Sequence, residues 1–417
     1  MGSGIFGSGL LSQNFKWLWI ATLGSSAGMW VQQVAVGWLV LEMTDSPLAL
    51  GFLAVSRAAP FLVFGMLAGA AADRLDRRRL LMAVQAGGAV YGLSMTILVS
   101  TDLIALWHVL ALTFLFGCVH AFDSPSRQSL VYDLVGAEEA LRGISLNAIA
   151  QRITGVLSGV LSGVLIPLAG VEGCFLLMAV SYALGVASLM VMQPVSAHHP
   201  VTADRPGFWD SVSAGVNLVR TNPVVRLLIV LSMTAEMFAF SHATLTPVFA
   251  RDILLSGPVG LGLLSSARAV GGIIATFVLA SLTYYQDKVR LLLLSMAVFG
   301  FALVFFSFSS SFLLSFVILV VIGGAATSFD LLQQTVLQLN VPNELRGRVM
   351  GYWVASLGFG PIGHLELGAL ATAAGAPFAQ MTNGLIVVLS VLAALVWLRR
   401  SGVWHTQVGH PVPVATE

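Results

Sequence analysis

GAAADRLDRRR, Gly69 to Arg79, places six ionisable residues between two long apolar runs in a chain that has very few charges. Its form is G-x-x-x-D-R-x-x-R-R. The apolar runs on either side are about 20 residues long, the length that a bilayer core of roughly 30 Å requires. A cluster of arginines at such a junction sets which side of a membrane the loop occupies. Of the 417 residues, 57% are hydrophobic and 9% are charged. A soluble domain carries about a quarter charged residues, so the chain reads as an integral membrane protein. The net charge of +1 argues against nucleic acid as a partner. Cys118 and Cys174 fall in apolar runs without metal-ligand spacing and read as small core residues.

Working outward, apolar segments recur over residues 17–41, 47–72, 79–99, 104–126, 144–167 and 171–193. After a polar connector they continue over 226–249, 258–284, 289–308, 312–330, 347–374 and 378–398. The expectation is an all-α membrane protein of twelve transmembrane helices in two six-helix bundles, 1–194 and 226–400. Between them lies a linker, 195–225, in which Phe208, Val212, Val216 and Val219 recur at helical spacing, predicting an amphipathic surface helix. The tail, 401–417, is short and polar and reads as disordered. The amino-terminal stretch lacks a basic n-region, so the first apolar segment is expected to stay as a span.

Lys16, the arginines at 74–79, Arg127, Arg142, Arg205, Arg220, Arg226, Lys288, Arg290, Arg346, Arg348, Arg399 and Arg400 fall on alternate connections. Those connections and both termini are therefore expected in the cytosol, with the protein in the plasma (inner) membrane. Arg251 is the one basic residue on the opposite side.

The halves also repeat. SPLALGFLAVSRAAPF from Ser46 aligns without a gap on GPVGLGLLSSARAVGG from Gly257, matching Gly51 with Gly262 and Arg57 with Arg268. FDSPSRQ at Phe122 echoes FDLLQQ at Phe329, and Arg77 aligns with Lys288. Internal repeats of this size are a feature of transporters.

The signature loop resembles that of the major facilitator superfamily. Arg57 and Pro60 in R-x-x-P, DRLDRRRLL, FDSPSRQSLV, LNAIAQR, FWDSVSAGVNLVRTNPVVR and PNELRGRVMG resemble the branch that includes the enterobactin exporter and other transmembrane secretion effectors. The resemblance implies that Gly69 permits close helix contact, that Asp73 sits near the start of the eleventh helix, and that Arg74 and Arg77 pair with acids at neighbouring helix ends. It further implies that Asp123 meets Arg77 when the cytosolic side is closed. By the repeat, Asp330 is then expected to meet Lys288. The glycine-proline motif of superfamily antiporters is incomplete here: Gly155, Gly159 and Gly163 recur four residues apart, and proline follows only at Pro167. That spacing still suits close helix packing.

No P-loop is present, so transport would be driven by an ion gradient or run downhill. Proton coupling needs an ionisable group inside the membrane. Glu236, mid-way along the seventh segment, is the first candidate, and Glu366 the second; a structural role for each remains open. His364, two residues from Glu366, lies on another face of the same helix. Arg57 and Arg268 stand about 15 Å into their helices, where a charge must be paired or hydrated; they suit an anionic group on the cargo or a helix contact equally well. Gln32, Gln33, Asn147 and His242 complete the polar groups expected on cavity helices.

The function expected is proton-coupled export of a small amphiphilic molecule, siderophore-like or drug-like, by a monomer without a cofactor. An uptake symporter or a transporter-like sensor would use the same helices. No H-E-x-x-H or comparable catalytic cluster occurs, so an enzyme is not expected.

Overall fold

The computed structural model describes residues 12–193, 222–282, 285, 287–341 and 356–401. Inside the helices, the side chains of residues 66, 69, 70, 72–74, 137, 138 and 141 are not among those described. The expected surface helix, the PNELRGRVMG motif, the start of the eleventh segment, the tail, and the side-chain roles assigned to Gly69, Asp73 and Arg74 therefore lie outside the described residues.

Every described element is helical. The first five are α1 (Gln13–Thr44), α2 (Pro47–Arg74), α3 (Arg77–Ser100), α4 (Leu106–His120) and α5 (Asp123–Val191). α5 is broken where Gly136 (φ 74°) and Gly170 (φ 68°) leave the helix, a backbone region that glycine enters without a Cβ penalty. There follow α6 (Pro223–Thr234), an irregular helical run over 235–253, α7 (Gly257–Ser281), α8 (Lys288–Ser307), α9 (Phe312–Leu339), α10 (Gly360–Ala374) and α11 (Ala376–Ser401). Among the described residues, nine stretches are long and apolar enough to cross a membrane.

The start signals are written in the sequence. Ser46 caps α2, with Pro47 at the first helical position, and Asn222 and Pro223 do the same for α6. Asp76 accepts the Arg79 amide at 3.0 Å to open α3, and Asp287 accepts the Arg290 amide at 3.0 Å to open α8. These two caps occupy equivalent places in the sequence repeat. A second correspondence lies deeper. A side chain at Gly117 would meet the Arg57 carbonyl, and one at Gly323 would meet the Arg268 carbonyl. Each repeated arginine thus presses its backbone onto a glycine that precedes a Phe-Asp pair, Phe122–Asp123 or Phe329–Asp330.

The described residues fall into two compact units. One is drawn from Met1–Thr202 and Ala250–Ser266, the other from Ala203–Phe249 and Ala267–Glu417. In the first, Phe15, Leu18 and Ala21 of α1 bury against Leu81 of α3 and Leu130, Val131 and Leu189 of α5. The Tyr182 ring lies against Gly28 of α1 and Gly88 of α3. Residues 250–266 join this unit because Gly262 seats on Gly159 and Gly163 of α5, where a Cβ would strike backbone, and because the Ser266 hydroxyl donates to the Val156 carbonyl at 2.7 Å. The four-residue glycine spacing is thus used for the close backbone approach that small residues permit. In the second unit α8 and α11 touch backbone to backbone at Gly300 and Gly384.

Candidate functional site

In the second unit the polar chemistry gathers on one irregular helix. Residues 235–239 form a π-helical turn and 240–245 a 3-10 turn. Pro247 contributes to this, since it has no amide to donate and its ring crowds the preceding turn. Non-standard helix of this kind at membrane depth is tolerated where it is buried in protein or lines a cavity, and π-turns recur at functional sites.

Glu236 sits in the first π-turn, half-buried, and makes no hydrogen bond or ion pair among the described residues. Asp330 of α9 lies within its electrostatic reach. Gly360, opening α10, leaves room beside the Glu236 Oε2 atom, which a Cβ at that position would approach to 3.5 Å. His242 is buried; its Nδ1 meets the Ala239 carbonyl at 2.7 Å and its Nε2 has no partner. Arg268 and His364 lie within its electrostatic reach. His364 Nδ1 meets the Thr244 hydroxyl at 2.6 Å, while Glu366 accepts from Asn383 Nδ2 at 3.1 Å. Two neighbours on one helix thus serve two faces, as their spacing demands. Lys288 Nζ donates to the Tyr285 carbonyl at 3.0 Å.

The first unit holds a separate polar interior. Arg127 is 4% exposed, the most deeply buried arginine among the described residues. Its guanidinium clasps Asp123 through two bonds of 3.0 and 2.6 Å and reaches the Thr22 and Ser25 hydroxyls of α1 at 2.5 and 3.1 Å. Asp123 and Arg127 are four residues apart on α5, so one turn of helix brings them together. This corrects one expectation: Arg127 is an interior residue and not a loop charge. Arg77 donates to Asp133 at 2.6 Å, while its pairing with Asp123 is an expectation for the state closed on the cytosolic side. Beside this pair is a cavity of about 270 Å³ lined by Ser25, Ser26, His120, Asn147 and Gln151 among others. Asn147 Oδ1 and His120 Nδ1 are buried with no hydrogen-bond partner. The sequence reading had selected Asn147 alone of these; Arg127 was recognisable only from the D-x-x-x-R spacing inside FDSPSRQ.

Higher in the same unit, Gln32 Nε2 donates to the Tyr91 hydroxyl at 3.0 Å, and Tyr91 meets Thr113 at 3.4 Å. Gln33, its neighbour, is half-buried and has no hydrogen bond among the described residues. Arg57 faces Tyr91 and likewise has no hydrogen bond or ion pair there. Among the described residues no three His, Cys, Asp or Glu side chains come together as a metal site.

Arg251 joins Asp45, which caps α1 in the left-handed conformation, and donates to the Leu41 carbonyl at 2.9 Å. An exposed ion pair contributes roughly 0–1 kcal/mol, but here three groups share one guanidinium. Arg251→Ala is expected to loosen residues 250–253 from the end of α1. A cysteine at Val40, which is buried, would then change from refractory to readily labelled by a water-soluble maleimide; unaltered protection would show that the clamp does not close this end.

The chain matches the family described as transmembrane secretion effector over residues 7–404. It is 24% identical over 349 residues to the staphyloferrin A transporter of Staphylococcus aureus, covering 84% of this chain and 87% of that one. It is 26% identical over 368 residues to the multidrug efflux pump Tap of Mycolicibacterium fortuitum, covering 85% and 88%. A crystal structure of a POT family transporter in complex with 5-aminolevulinic acid superposes with a TM-score of 0.77 at 12% identity, covering 95% of this chain and 98% of that one. At that identity the likeness speaks for the fold.

Proposed function

Because this chain belongs to the transmembrane secretion effector family of the major facilitator superfamily, we propose that it is a secondary active exporter that moves a small amphiphilic molecule out of the cytosol in exchange for protons. The family and the relatives make it an integral membrane transporter; direction, coupling and cargo class are our reading. Twelve crossings in two six-helix bundles accord with the described helices. The run Arg142–Val191 has 50 residues, about 75 Å at 1.5 Å per residue, enough for two passes that turn at Gly170. α1 and the segment ending in α10 supply the other two beyond the nine. The alternating arginines favour both termini in the cytosol, and the monomer remains our expectation.

The observation that carries the coupling is the difference between the two copies of the Phe-Asp repeat. In the first, Asp123 is neutralised by Arg127 one turn on. In the second, Gln334 stands where Arg127 would be, and the charge of Asp330 acts on Glu236. One copy is a fixed ion pair, and the other offers a carboxylate that can exchange a proton as water access alternates. We assign Glu236 as the carrier and Asp330 as the group that modulates it, with Glu366 secondary. Arg57 and Gln33 are suited to an anionic group on the cargo, while His242, Arg268 and Asn147 belong to the polar interiors.

The names of the relatives guide the test. Inside-out vesicles containing the protein, given an acidic lumen, are expected to accumulate staphyloferrin A or a drug and to lose part of the pH gradient as they do so. Accumulation that persists in the presence of a protonophore would remove the antiport mechanism.

A further inference from the structure

We propose that the second unit carries a binding groove for an anionic phospholipid, between α8 and α11. The two helices touch at Gly300 and Gly384, and towards one end they enclose a cavity of about 460 Å³. Its walls are Leu293, Leu294 and Ala297 of α8 and Val391 and Leu395 of α11, and its mouth carries Arg290 and Arg399. Arg290 is in the first turn of α8 and Arg399 in the last turns of α11, so antiparallel packing brings both to the same end.

The arrangement has the dimensions of an amphiphile. From Arg290 to Gly300 is ten residues, about 15 Å, the depth of one leaflet of the hydrocarbon core. Cationic groups at the rim stand where headgroup phosphates lie, and the apolar walls stand where an acyl chain lies. The groove opens on an exposed apolar flank, where Leu294, Phe301 and Leu392 are all more than half exposed. Lys288 and Arg400 add charge at the same end, against which Asp287 is the acid: its carboxylate caps the helix and stands 4.0 Å from Arg290. Basic pockets between membrane helices recognise anionic headgroups in this way. Neither arginine belongs to the transport machinery assigned above, so the site is independent of that reading.

The guanidinium pair sets the expected selectivity. Two basic residues of ordinary interfacial strength favour an anionic over a zwitterionic headgroup by about thirty-fold. Native mass spectrometry of the full chain in detergent, titrated with phosphatidylglycerol or with phosphatidylcholine of the same acyl chains, reads this ratio directly. The native protein is expected to retain phosphatidylglycerol preferentially, the Arg290→Ala/Arg399→Ala variant to lose the preference, and Arg290→Lys/Arg399→Lys to keep most of it. Ala297→Trp, which fills the cavity and leaves the charges in place, is expected to lower retention of both lipids, and it decides the matter if the double alanine variant does not fold. Equal retention of the two lipids by the native chain, or a preference untouched by the double alanine variant, would overturn the proposal. Displacement of the lipid by millimolar glycerol phosphate would do so too, since it would make the site one for a soluble anion.

Discussion

Glu236→Gln is expected to leave cargo binding intact and to abolish accumulation driven by a proton gradient. The substitution keeps the shape and the hydrogen-bonding capacity of the side chain and removes its ability to take up a proton. With one proton exchanged per cargo, a gradient of two pH units supports about a hundredfold accumulation, because each unit is worth 1.36 kcal/mol; the variant is expected to reach about onefold. Downhill exchange should persist, since alternating access needs no titration once the site is permanently neutral. The physical basis is local: Glu236 sits on a π-turn, has no hydrogen-bond partner among the described residues, and lies within the electrostatic reach of Asp330. Glu366→Gln is the comparison. Its carboxyl is already bonded to Asn383, and an amide can accept the same bond, so the accumulation ratio should fall only several-fold. Native-like accumulation by Glu236→Gln, with Glu366→Gln inactive, would transfer the carrier role to α10.

The second large effect is on stability. Arg127→Ala strips a largely buried carboxylate, 14% exposed, of its counter-ion and leaves the Thr22 and Ser25 hydroxyls without their donor. Breaking a buried pair from one side costs about 3–5 kcal/mol, so the apparent melting temperature of the purified protein should drop well below that of the native chain. Asp123→Asn should cost less, because the guanidinium keeps both hydroxyls and an amide oxygen. Combining it with Arg127→Met should recover part of the loss, because neither side then leaves an uncompensated charge. The effect should change little between low and high salt, since a pair this deeply buried is poorly screened. An Arg127→Ala melting curve matching the native one would mean that the network is no more than incidental to the fold.

The lesson of Arg127 is general for chains of this kind. Hydropathy places a charge at the end of an apolar run and assigns it to a loop, because in one dimension the end of a span and the buried start of the next helix look the same. What distinguishes them is the position of Thr22 and Ser25, a hundred residues away in the chain, and of Asp123, one turn away on the same helix. By contrast Asp76 and Asp287 were readable, since a helix cap depends only on residues within one turn. Glu236 was readable as an acid within a span. Its π-turn was not, because a change from α to π spacing depends on how Pro247 and the packing of neighbouring helices redistribute the backbone bonds.

The sequence by itself determined that this protein is a helical membrane protein built from two related halves and that it belongs to the major facilitators. Those properties follow from apolar length and repetition, which are local or periodic. Only the tertiary structure decided which charges are paired within the fold. Asp123 is satisfied by Arg127, Arg77 by Asp133 and Glu366 by Asn383, while Glu236 lies within the electrostatic reach of Asp330. The energy of a charge in an apolar medium depends on what stands within a few ångströms of it, and across helices that distance is not written in the order of the residues.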